Sequence, residues 1–159
     1  MTLRILTLSA SVLLAGTAFA GSHSKPESMG NETADARAVV MKQMGKNIGI
    51  LGSMARGTAD YDADAAVAAA EALLEAAKVP PSKLWVAGTG NPDVPMSRAK
   101  PAIFTDSFEV ETLHVDLIAA SEAMVAAAGT GLDGVRANIG AIGGVCGDCH
   151  KAYRLPKDE

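Results

Sequence analysis

The sequence predicts an all-α protein, an antiparallel four-helix bundle. Four segments repeat apolar residues at helical spacing, and the first and last links between them are short and carry glycine (Gly57; Gly129-Thr130-Gly131). No segment alternates apolar and polar residues between hairpin turns, as a half-buried strand would. A length of 159 residues, 48% apolar and 20% charged, suits one soluble domain. Acidic side chains outnumber basic ones 18 to 14, which excludes a strongly basic nucleic-acid binder. Two cysteines three residues apart exclude a disulfide scaffold. Only 4% of residues are aromatic, although large rings normally dominate core burial. The composition leaves space for some other large body.

Residues 1–20 read as an export address. Arg4 precedes a mostly apolar run from Ile5 to Ala15, and Gly16-Thr17-Ala18-Phe19-Ala20 has the small residues of a cleavage site after Ala20. The run is too short for a membrane anchor, which needs about 18 apolar residues. No later segment is long and apolar enough to span a membrane. Loss of Arg4 with this segment leaves a mature net charge of −5. Residues 21–33 are expected to form a flexible leader, with His23 a solvated tail residue.

The bundle is assigned to residues 34–159. The first helix runs from Ala34 to Arg56, with Arg37, Met41, Met44, Ile48, Leu51 and Ala55 spaced 4, 3, 4, 3, 4 on one stripe. Asn31 or Thr33 can cap it, and Gly57 can stop it. Asp62 can cap a second helix to about Lys78, buried through Ala66, Val67, Ala70, Leu73, Leu74 and Ala77, which Pro80-Pro81 ends. The proline-rich link from Val79 to Lys100 has one evident anchor, Leu84-Trp85; a link of this length implies a crossover or a lid. Pro101 suits the first turn of a third helix reaching Ala128. Ile103, Val110, Leu117 and Met124 are seven apart there, and Leu113, Ala120 and Ala127 form a second series that Asp106 interrupts. The fourth helix, Leu132 to about Arg154, carries the stripe Leu132, Val135, Ile139, Ile142, Cys146, Cys149 and Tyr153.

The chemistry sits on that last stripe, in Cys146-Gly147-Asp148-Cys149-His150. Cysteines at i and i+3 point to one side, about 5–6 Å apart at Cβ. That spacing suits two thioether bonds to the vinyl groups of a haem, and His150, four after Cys146, can bring its imidazole under the iron. C-x-x-C-H is the attachment signature of c-type haem. A thioredoxin-like dithiol would instead open a helix after a strand. A structural zinc needs four ligands, and the remaining histidines, His23 and His114, do not sit at finger spacing. The residues therefore point to one covalently attached haem c, with its iron bound by His150.

With this motif near the carboxyl end of a four-helix chain, the sequence resembles the class II cytochromes c, the cytochrome c′ family. Arg37-x-x-x-Met41, Gly57-x-x-x-Tyr61-Asp62, Leu84-Trp85-x-Ala87-Gly88-Thr89 and His150-x-x-Tyr153-Arg154 carry the likeness along the mature chain. The resemblance implies that Met41 faces the sixth position of the iron, as in the low-spin branch that the run Met41 to Asn47 looks more like. It also implies that Arg37 reaches a haem propionate, whereas its neighbours alone suggest an exposed charge paired with Asp35 or Glu32. Homodimerisation through the first two helices occurs in the family. Met44, Met54 and Met124 read as flexible core filler. His114, beside the third helix's apolar stripe, reads as solvated or satisfied. Gly45, Gly49 and Gly52 imply either close helix contact or room for the cofactor.

The function expected is that of a periplasmic monohaem cytochrome, not an enzyme, carrying single electrons between redox partner proteins. Met/His ligation suits that role by raising the potential. The alternative is a five-coordinate cytochrome c′ binding nitric oxide or carbon monoxide at an open distal face. A negative net charge is compatible with docking on a basic partner surface. A chain so poor in rings should pack loosely without its cofactor.

Overall fold

A computed structural model of the chain describes residues 28–157. The export segment expected at 1–20, and most of the leader with His23, lie outside these residues. Helix α1 spans Glu32–Arg56. It starts two residues before the expected bundle boundary because Asn31 is the cap: its side-chain oxygen accepts from the Ala34 N–H at 3.0 Å. Thr33 therefore lies inside the helix. The last residues of the expected leader are tied down, since the Ser28 hydroxyl and the Met29 N–H both donate to the Asp35 carboxylate, at 2.6 and 2.7 Å. Gly57 ends α1 with φ 72°, a left-handed conformation that glycine adopts without strain.

Helix α2 spans Ala63–Ala77 and is capped by Asp62, whose carboxylate accepts from the Ala65 N–H at 2.8 Å. Its buried face is Ala66, Ala69, Ala70, Leu73, Ala76 and Ala77, small enough for α2 to lie close to its neighbours. The long link that follows holds one short helix, α3 (Pro81–Leu84), and a 3-10 turn at Pro101–Phe104. Helices α4 (Ser107–Ala128) and α5 (Leu132–Tyr153) complete the chain. The expected third helix is thus broken near its start. Asp106 leaves helical geometry (φ −96°, ψ 59°) and makes no cap. Its carboxylate accepts instead from the Tyr153 hydroxyl at 2.6 Å, which explains why an acid interrupts the apolar series.

The four long helices pack in a ring, α1 on α2, α2 on α4, α4 on α5 and α5 on α1. The Tyr61 hydroxyl donates to the Ala128 carbonyl at 2.8 Å, so the start of α2 lies beside the end of α4. Arg136 Nε donates to the Ala55 carbonyl at 2.9 Å, so the start of α5 meets the end of α1. These neighbours are antiparallel, as expected of the bundle. Because α2 and α4 touch, the long link does not have to cross the bundle, and its length is spent covering one end.

Leu51, Leu73, Met124, Val135 and Ile142 are fully buried and close the core, with Met54 beside them. The packing role expected of Met54 and Met124 is the one they occupy. A second, smaller cluster (Ala99, Ile103, Val110 and Tyr153) caps the covered end, with Trp85, Phe104 and Leu113 against it. Among the described residues no helix is long and apolar enough to cross a membrane.

The hydrogen bond to Asp106, followed by burial, pushes the Tyr153 phenol from 10 up to about 12. A folded-state pKa raised above the unfolded value favours the protonated phenol, so its contribution is full below pH 10 and is lost between pH 10 and 12. Denaturant titrations across that range should show a steeper loss of stability for the wild type than for Tyr153→Phe. Equal slopes would mean that the bond contributes nothing.

Candidate haem site

The fourth-helix stripe behaves as its spacing requires. Cys146, Cys149 and His150 are half-buried on the last turns of α5, while Gly147 and Asp148 between them face solvent. They border two adjoining cavities. One, of about 340 Å³, lies between the first turns of α1, the long link and the end of α5; Arg37, Met41, Trp85, Ile103, His150 and Tyr153 are among its walls. The other, of about 320 Å³, runs deeper between α1, α4 and α5, past Met44, Leu113, Leu117 and Cys146. Met41, Trp85, Cys149, His150 and Arg154 border both, so the two are adjoining lobes that share one wall.

The walls are mainly apolar, and no carboxylate lines either lobe, whereas Arg37, Lys42, Arg98 and Arg154 do. Gly45 borders the deeper lobe, and a Cβ there would meet nothing within 4 Å. Of the two roles expected of the α1 glycines, Gly45 therefore provides room. At Gly52, by contrast, a Cβ would come within 2.9 Å of Arg56 Nη1.

Burial pushes both thiols up, and Arg154 only partly opposes this at Cys149. A reactive dithiol needs the opposite shift. Burial, then the charges of Arg154 and Arg98, push the His150 imidazole down, which keeps it in the neutral form that binds metal. Among the described residues no group of three or more His, Cys, Asp or Glu could hold a bare metal ion. Two thiols and one neutral imidazole on an apolar space fit a haem, with Cys146 and Cys149 as its attachment points and His150 as the iron ligand this helix would supply.

Arg37 is not the exposed charge that its neighbours alone suggest. It is 5% exposed, so the surface ion pair with Asp35 or Glu32 does not form, and Asp35 is taken by Ser28 and Met29. Its two Nη atoms donate to the Leu84 carbonyl (2.8 Å), the Thr89 hydroxyl (3.0 Å), the Thr89 carbonyl (2.6 Å) and the Ser97 hydroxyl (2.9 Å). The guanidinium also lies 5.1 Å over the Trp85 ring. Four of its five donors are committed to the long link, leaving Nε–H for any propionate. Arg37 is first of all the latch that holds this link onto α1.

Met41 is half-buried where the lobes join, one helical turn from Arg37. Met44 is buried against both the core and the deeper lobe. His114, expected to be solvated or satisfied, is half-buried in the wall of that deeper lobe. Met29, Met96 and Arg98 also line the site but had no sequence signal, because they lie in irregular backbone with no periodicity to mark a face.

Comparison with known proteins agrees with this architecture. The family model described as Cytochrome C' matches residues 32–154. A cytochrome c′ of Cereibacter sphaeroides is 35% identical over 130 residues, covering 78% of this chain and 87% of the relative. A cytochrome c-556 of Agrobacterium tumefaciens is 32% identical, covering 79% and 97%. A solved Rhodobacter cytochrome c′ superposes with a TM-score of 0.75 at 34% identity, covering 79% of this chain and 96% of its own. The fold and site thus define a monohaem cytochrome bundle. The chain belongs to the cytochrome c′ family, and its cofactor is one covalently attached haem c with its iron.

The latch has a measurable consequence. Arg37→Gln should destabilise the haem-loaded protein by about 3 kcal/mol or more, because buried carbonyls lose a charged donor. It should also speed proteolytic nicking within residues 86–98. Unchanged stability and unchanged protease resistance would contradict the latch.

Proposed function

We propose that this cytochrome is a single-electron carrier, not an enzyme, and that its iron is held by His150 and Met41. The observation that carries the reading is Met41's place: with His150 it borders both lobes, from the helix packed against α5. Cys146 and Cys149 would hold the haem through two thioethers. When bound, the haem supplies reversible one-electron chemistry, and Met/His ligation raises its potential. The protein's part is to bind, to shield and to orient. Ile103, Trp85, Leu113 and Leu117 exclude water from the lobes, and the latched link holds the cover in place. The export pattern at 1–20 supports a periplasmic location, where attachment of this cofactor is completed.

The second reading, a five-coordinate cytochrome c′ that binds nitric oxide or carbon monoxide, is favoured by one specific observation. Met41 is only half-buried, with open space on its side of the site, so a small ligand could compete there. The absorption spectrum of the purified ferric protein separates the two. Electron transfer predicts a low-spin spectrum with a methionine-to-iron charge-transfer band, lost in Met41→Ala together with a shift to high spin. A high-spin wild type that Met41→Ala leaves unchanged would remove Met41 from the ligand set and favour gas binding.

A further inference from the structure

The net charge and the charge around the site have opposite signs. The chain carries −4 overall, yet no carboxylate lines the site and four cations do. The backbone explains part of this. Residues 98–100 run antiparallel to the end of α5, through an Ala99–Arg154 bridge, Lys100 N–H to Tyr153 carbonyl at 2.9 Å and Leu155 N–H to Arg98 carbonyl at 2.8 Å. Arg98 clamps the Leu155 carbonyl with Nε and Nη2 at 2.9 and 2.6 Å, and Lys100 Nζ reaches the carbonyls of Lys151 and Ala152 at 3.3 and 3.2 Å. This pairing gathers Arg98, Lys100, Lys151 and Arg154 at one end of the molecule, with Arg98, Lys151, Arg154 and the nearby Lys157 exposed. Among the described residues the ion pairs are Lys78–Glu75 and Arg136–Asp133, so none of these cations is paired with a described carboxylate.

We propose that this basic face, beside the mouth of the haem site, is a docking surface for the acidic surface of a redox partner protein. The proposal rests on the electron-carrying reading and reverses the partner charge that the net balance suggested. Two haem propionates would meet the cations that line the cavity, Arg98, Arg154 and Lys42. Lys151 and Lys157, both exposed, lie outside that lining and stay available to a partner. Complementary fields of this kind steer encounters and weaken with salt over a Debye length of about 10 Å at 0.1 M.

The test is stopped-flow oxidation of the haem-loaded ferrous protein by hexacyanoferrate(III), an anion, as sodium chloride rises from about 10 to 200 mM. A basic haem edge predicts a rate that falls by roughly tenfold. Polyglutamate should slow the reaction at low salt. Lys151→Glu with Lys157→Glu, both exposed, should flatten or reverse the slope and abolish the polyglutamate effect while the absorption spectrum stays unchanged. A wild-type rate that rises with salt, as the net charge alone dictates, would overturn the proposal, as would a slope or polyglutamate effect that the double substitution does not alter. The spin state, read separately from the spectrum, decides the ligand reading and leaves the salt slope interpretable.

Discussion

A bundle made largely of alanine and glycine can close only where its few large side chains meet. Here Leu51, Leu73, Met124, Val135 and Ile142 are fully buried in one cluster, spread over about two turns of the bundle. Toward the end of α5 the facing side chains, Met41, Met44, Trp85, Leu113 and Leu117 among them, line open space instead of closing on one another, and two lobes of about 340 and 320 Å³ lie there. At about 24 cal/mol per Å³, an unfilled void the size of the first lobe would cost at most about 8 kcal/mol, comparable to the whole stability of a domain. Water entering the open mouth would lower that cost without restoring the lost contacts. The haem is therefore part of the core, and the protein's scarcity of rings is the counterpart of one large ring system.

The cover follows from the same constraint. A space at the end of a bundle must be roofed by irregular backbone, whose polar groups need partners when buried. Arg37 supplies them to the Leu84 and Thr89 carbonyls, and binds the Ser97 hydroxyl as well, from within α1. Since Met41 lies one turn further along α1, a single helix both anchors the roof and presents the sulfur to the site. The bond from Tyr153 to Asp106 ties the haem-bearing helix to the start of α4 from the other side. Arg37 and Tyr153 thus help to hold the roof and the last turn of α5, each joining segments that lie far apart in the chain.

Much of this was legible in the sequence because it is periodic. The stripes place Met41, Cys146 and Cys149 on inward faces, and Asn31, Gly57 and Asp62 mark helix ends through local hydrogen bonds that depend on residues a few positions away. Arg37 was legible as a site residue but not as a latch. Its acceptors are two carbonyls and two hydroxyls 47 to 60 residues distant, and main-chain acceptors leave no trace in residue identity. Asp106 announced itself only as a misfit, because its partner is 47 residues away. The basic face was hidden for a related reason: net charge is a sum, and the sign that a partner meets is set by which segment pairs with the end of α5.

The central claim is that the cofactor completes the core, and amide hydrogen exchange tests it most directly. The haem-loaded protein should be compared with a haem-free chain carrying Cys146→Ser and Cys149→Ser. The account predicts that the substituted chain loses protection first and most in the early turns of α1, in the link from Leu84 to Phe104 and in the last turns of α5, around the space the haem fills. Equal protection of those segments with and without haem would contradict it.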